Sequence, residues 1–134
     1  MARKPLLWAL VKQGKNQGKR TPKKARNIRV VLVTCPSVGL ARKIARAVVL
    51  RRLAACVNVV LSPVESFYTW KGKLEFAREH LLLIKTTAGR LTQLEREVKR
   101  LHSYAVPEFI AIPITEGAAA YLSWLVDSVV KSDR

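Results

Sequence analysis

Two stretches of this chain are too apolar, on both alternations of a strand, to lie on a sheet with one wet face. Ile28–Thr34 reads IRVVLVT, and Leu81–Ile84 reads LLLI. The first is β-branched and nearly continuous in apolar character, the pattern of a central strand buried on both faces. The second closes a long segment, Lys73–Thr86, and must be covered on both sides. A chain with two such runs has to build around a central sheet. It must also bury that sheet's second face, which points to association between subunits.

The segments between these runs give the connections. Cys35-Pro36 stops the first strand, and Ser37 is placed to cap the helix that follows. Along Ser37–Leu53, Val38, Ala41, Ile44, Ala45 and Val48 form one helical stripe, with Arg42, Lys43, Arg46 and Arg52 facing away. Cys56–Leu61 is a second strand, ended by Ser62-Pro63. Val64–Trp70 and Lys73–Thr86 flank Lys71-Gly72, a two-residue hairpin signal. Leu91, Leu94, Val98 and Leu101 repeat at helical spacing, Glu108–Ile114 is a last strand, and Gly117 opens a final helix carrying Tyr121, Leu122, Leu125 and Val129. The order βαββαβ followed by a helix is the ferredoxin-like plan, an α+β fold. Right-handed crossovers place the long return strand between the first two, the last strand beside the first, and the helices on one face of an antiparallel sheet.

Charge divides the chain in two. Its net charge is +16, from 25 Lys+Arg against 9 Asp+Glu in 134 residues, and residues 1–27 hold nine of those basic residues and no acid. Residues 1–27 therefore read as a flexible basic extension or targeting segment, and 28–134 as the folded domain, with a net charge of only +7. Leu6–Val11 is too short an apolar core for a secretory signal and no A-x-A site follows. A mitochondrial presequence, an arm for nucleic acid or other polyanions, and a solvated tail all remain open. No apolar run approaches the roughly 18–20 residues of a membrane-spanning helix. The two cysteines form no disulfide scaffold, and neither CxxC nor HxxxH spacing occurs.

Several segments together resemble one family. Arg52-Leu53-Ala54-Ala55-Cys56-Val57-Asn58, Tyr68-Thr69-Trp70-Lys71-Gly72-Lys73, Leu83-Ile84-Lys85-Thr86, His102…Tyr104…Pro107-Glu108 and Tyr121-Leu122-Ser123-Trp124-Leu125 are similar to CutA, the divalent-cation tolerance family, in wording most like its animal members. The resemblance runs through 28–130 and not through 1–27. It implies a ferredoxin-like homotrimer, an association with copper and other divalent metal ions, no established enzymatic reaction and, for animal members, a part in localising a membrane-anchored esterase. The family's usual His-Pro-Tyr-Glu reads His102-Ser103-Tyr104-Ala105 here, and its acidic run is reduced to Glu75-Phe76-Ala77-Arg78-Glu79. Each change removes a cation ligand or replaces negative charge with positive.

The expected strand directions place Cys35, His102 and Glu108 at one rim of the sheet, where thiol, imidazole and carboxylate suit copper in either oxidation state. Against that stands a plain role for His102 and Glu108 as local caps. Cys35, beside Pro36, is expected to be exposed and reactive, whether as bystander or soft-metal ligand. Cys56 is expected as a small buried hydrophobe at the opposite end, with Lys85. The two sulfurs are then about a strand length apart (~17–20 Å), too far for a disulfide, which favours a reducing, intracellular compartment, cytoplasmic or mitochondrial. Cys56, Trp70, Lys85 and Tyr104 are the candidate pocket residues, and the large aromatics Trp70, Tyr68 and Trp124 are read first as core or interface. His80 is read as structural. No Ser-His-Asp triad, paired-carboxylate site, P-loop or dinucleotide fingerprint is present, so a non-catalytic metal-binding or adaptor protein is the leading class. A nucleic-acid platform lacks the exposed aromatic pattern it needs. A sensor in the manner of PII-type proteins rests on fold analogy.

Overall fold

The computed structural model describes residues 27–130; most of the basic extension assigned to 1–27, and 131–134, lie outside the described residues. In chain order the elements are β1 (Ile28–Cys35), α1 (Val38–Leu50), β2 (Cys56–Val59), β3 (Val64–Trp70), β4 (Lys73–Thr87), α2 (Leu91–Leu101), β5 (Ile110–Pro113) and α3 (Ala119–Ser128), with a 3-10 turn at Ala88–Arg90 ahead of α2. The sheet runs β2-β4-β1-β5, with β3 paired to β4 alone. Every pairing is antiparallel, so β1 and β2 run parallel with β4 between them, as the ferredoxin-like plan requires.

Local chemistry sets the boundaries. Ser37 caps α1, its hydroxyl accepting from the Leu40 N–H at 3.2 Å. The helix ends three residues before the expected Leu53, because Arg52 takes a left-handed φ of 56°. The Arg52 N–H then donates to the Val49 carbonyl (3.0 Å) and the Leu53 N–H to that of Val48 (2.9 Å), a Schellman closure. Lys71 and Gly72 both have positive φ, 51° and 79°, which gives the β3–β4 hairpin the turn whose twist matches its strands. The last strand is shorter than the expected Glu108–Ile114: its pairing with β1 begins only at Ile110, opposite Leu32. Pro113 is tolerated there because β5 is an edge strand.

The core lies on one side of the sheet. Val31, Val33 and Cys35 of β1 and Leu82 and Ile84 of β4 pack against Ala41, Ile44 and Val48 of α1 and Leu94 and Val98 of α2. The two crossover helices keep to this face. The C-terminal helix does not: Leu122, Leu125 and Val126 of α3 cluster with Ile28, whose place in the strand alternation puts it on the opposite face. Gly117 permits this approach, since a Cβ there would come within 2.9 Å of the Leu122 side chain. α3 thus covers one end of the second face. Ile110 and Ile112, on the same face as Leu32 and Val30, stay exposed.

Candidate functional site

Beyond the α1–α2 layer the hairpin continues as a free two-stranded ribbon. The register pairs Trp70 with Lys73, Tyr68 with Glu75, Ser66 with Ala77 and Val64 with Glu79. Opposed residues share a face, so Tyr68, Trp70, Glu75 and Glu79 all lie on the side away from α1 and α2. There they meet Thr34 at the end of β1 and the 103–108 loop that follows α2. Together these walls enclose an open cleft of about 680 Å³, with Tyr104 and Glu108 on the loop side.

Glu79 is the centre of this cleft. Its residue is 6% exposed, yet it pairs with no cation among the described residues. One carboxylate oxygen, Oε2, accepts from the Tyr104 hydroxyl at 2.9 Å. The other groups around the cleft register its charge. Burial, then the hydrogen bond to Glu79, push the Tyr104 phenol up to about 12. Burial, then the Glu79 carboxylate, raise Glu108 above the usual carboxylate range. Negative charge is thus concentrated in a partly dry cavity, an arrangement that favours a cation.

The residues expected to hold a metal are distributed differently. His102 is buried, with Nε2 2.8 Å from the Thr34 carbonyl and Nδ1 3.1 Å from the Tyr104 N–H. The carbonyl can only accept and the N–H can only donate, so the imidazole is neutral, protonated at Nε2, with no lone pair free. It ties α2 to β1 and sets the loop that carries Tyr104. Cys35, expected to be exposed, is fully buried on the helix-covered face. Burial, then Glu79, push its thiol up to about 11, against the thiolate a metal requires. Glu108 alone of the three lines the cleft, as part of the loop before β5. Among the described residues no group of three or more His, Cys, Asp or Glu side chains comes together to hold a metal ion. The soft, redox-sensitive donor set is therefore not assembled, and the ionisable groups lining the cleft are oxygen acids, the Glu75, Glu79 and Glu108 carboxyls and the Tyr68 and Tyr104 phenols.

The four candidate pocket residues also separate. Trp70 and Tyr104 line the cleft. Cys56 and Lys85 are paired across β2 and β4 at the other end, where the Lys85 ammonium lies 5.9 Å from the Tyr121 ring centre. Cys56 is half-buried there rather than enclosed. His80 takes the structural part expected of it, bonding the Val60 carbonyl at 3.1 Å. The sequence reading of Tyr68 as core or interface, and of Glu79 as one member of a reduced acidic run, misses their place in the cleft, although the period-two spacing of Glu75 and Glu79 opposite Tyr68 and Trp70 carries the signal.

A five-stranded antiparallel sheet, two crossover helices on one face and a carboxylate-floored cleft on the other define an α+β protein of ferredoxin-like plan. The chain belongs to the CutA family: the family model for the CutA1 divalent ion tolerance protein matches residues 29–128. It is 51% identical over 96 residues to the divalent-cation tolerance protein CutA of Thermus thermophilus, covering 72% of this chain and 92% of that one. It is 43% identical over 99 residues to the mouse protein CutA, covering 74% of this chain and only 55% of that one. The likeness is thus shared by bacterial and animal members. Among solved structures, the T. thermophilus protein superposes with a TM-score of 0.75 at 48% identity, covering 77% of this chain and 99% of that one. CutA1 of Oryza sativa gives 0.75 at 43% identity, with coverage of 78% and 95%.

Proposed function

We propose that this chain works as a non-catalytic homotrimer that binds divalent metal ions through the carboxylates of the open-face cleft. The observation that carries this reading is Glu79, a buried carboxylate without a cationic partner among the described residues, on the floor of a cavity shared with Glu75 and Glu108. With His102 and Cys35 occupied elsewhere, and no three such side chains converging among the described residues, the cleft offers carboxylate oxygens singly, to a cation that keeps most of its water. Such oxygens suit hard divalent ions and take copper as Cu(II) rather than Cu(I). Self-association is supported by the hairpin that builds the cleft wall, whose apolar residues Phe67, Leu74 and Phe76 stand exposed. The same element then serves cleft and interface. Cys35 and Cys56, free and on separate strands, support an intracellular setting, cytoplasmic or mitochondrial.

The test is calorimetric titration of the full chain with Cu(II) and with Mn(II). Glu79→Gln keeps an acceptor for Tyr104 while removing the charge, and is expected to weaken both ions about tenfold, the scale of one charge-assisted hydrogen bond. Glu108→Gln weakens them less, and His102→Ala and Cys35→Ala leave them unchanged. If His102→Ala abolishes Cu(II) binding and Glu79→Gln does not, the cleft assignment fails. If the parent binds neither ion, what remains is the adaptor role, with an esterase or its anchor as partner.

A further inference from the structure

On the opposite side of the molecule, between the end of α1 and the exposed flank of α2, four arginines converge. Arg90, Gln93, Glu97 and Arg100 follow one another at spacings of three or four along one helical flank, and Arg96 is the neighbour of Gln93 and Arg100. With Arg51 they line a pocket of about 340 Å³, at the small end of the roughly 300–1,000 Å³ usual for small-molecule sites. The Schellman closure at Arg52 shapes one wall. The Arg90 guanidinium holds that wall by donating to the carbonyls of Arg52 (3.1 Å) and Arg51 (3.4 Å) and to Gln93 Oε1 (2.6 Å). Arg90 is thus fixed in place with two of its five N–H donors unspent.

The pocket's one carboxylate, Glu97, does not neutralise it. Its side chain is buried and already ion-paired twice, to Arg51 and to Arg100, the latter at 2.6 Å. Arg96 forms no hydrogen bond or ion pair among the described residues. Four guanidiniums against one carboxylate leave three positive charges on a concave surface, and the first turn of α2 carries no acid to offset its helix dipole. Planar guanidinium forks match the oxygens of a phosphate in pairs.

We propose that this pocket binds a small phosphate-bearing anion of the diphosphate class, with Arg96 and the free N–H groups of Arg90 as its principal donors. The site lies across the sheet from the cation cleft and does not depend on it. Inorganic diphosphate and a nucleoside diphosphate share the chemistry, and the experiment separates them.

The full chain is titrated with inorganic diphosphate and, separately, with ADP, binding being followed by calorimetry and by amide shifts. Saturable binding that moves the Gln93 and Arg96 amides is expected for at least one ligand. Equal affinities identify the phosphate alone as the recognised part, and tighter ADP binding identifies the nucleotide. Arg96→Gln, which removes no hydrogen bond or ion pair among the described residues, should weaken binding roughly tenfold with an unchanged melting temperature. Arg46→Gln, the same charge removed from the exposed side of α1, should have little effect. An equal loss in both variants, shifts confined to residues outside the pocket, or binding of long polyanions such as RNA alone would overturn the proposal.

Discussion

Cys35 illustrates how burial decides chemistry that a sequence neighbour only suggests. Beside Pro36 a thiol at a strand end reads as exposed, but the alternation of β1 turns it towards Ile44 and Leu82 in the core. Its thiol is pushed up from 9.0 to about 11, by burial first and by Glu79 second. The unfolded chain releases this proton above about pH 9, while the folded chain keeps it until about pH 11. The native state therefore holds the whole of this contribution below pH 9 and loses it as pH rises through that window. The fall is about 2–3 kcal/mol at most, because each tenfold change in proton affinity is worth ~1.4 kcal/mol. Chemical denaturation at pH 8, 9.5 and 11 should show this fall in the parent and a flatter profile in Cys35→Ala. Alkylation of the native protein should mark Cys56 well before Cys35, and the reverse order in a mass spectrum would place Cys35 at the surface.

At the scale of elements, the β3–β4 hairpin carries the most consequence. Its two faces differ: Tyr68, Trp70, Glu75 and Glu79 line the cleft, while Phe67 and Phe76, 5.0 Å apart between ring centres, lie with Leu74 on the other face. Leu74 is 74% exposed and Phe67 67%, left uncovered by the described residues, so a neighbouring chain is the natural cover. Phe76→Glu is expected to leave far-UV circular dichroism unchanged, since Phe76 belongs to neither core cluster. It should also shift sedimentation at micromolar concentration to a monomer; an unchanged coefficient would remove the hairpin from the interface. This hairpin was legible in the sequence, because Lys71-Gly72 between β-prone arms specifies both turn and register. The α2 stripe Leu94–Val98 was legible for the same reason, a local period. The direction of Cys35, the side on which α3 packs and the position of Glu79 were not, because each depends on how segments distant in sequence meet. The His102 bond to Thr34 spans 68 residues, and no local pattern announces it.

For the whole molecule the governing quantity is where the charge lies. Of 25 basic residues nine precede residue 28 without a single acid, whereas residues 28–134 combine 16 basic with nine acidic residues. The folded part divides its own charge further, an acidic cleft on one face and an arginine pocket on the other. A long polyanion, unlike a small diphosphate, gains most from a dense run of like charges, because each neutralised phosphate or sulfate releases a counterion. The cluster Lys19, Arg20, Lys23, Lys24 and Arg26 offers that run; the arginine pocket, concave and partly neutralised by Glu97, does not. Deleting residues 1–27 lowers the net charge from +16 to +7 and leaves every described element in place. The shortened chain is expected to keep the oligomeric state and melting temperature of the parent. It should elute from heparin at clearly lower salt, and its log–log dependence of RNA affinity on salt should flatten by about 0.7–0.9 for every phosphate no longer neutralised. Retention equal to that of the parent would mean that the folded body, with its exposed arginines, carries the polyanion binding instead.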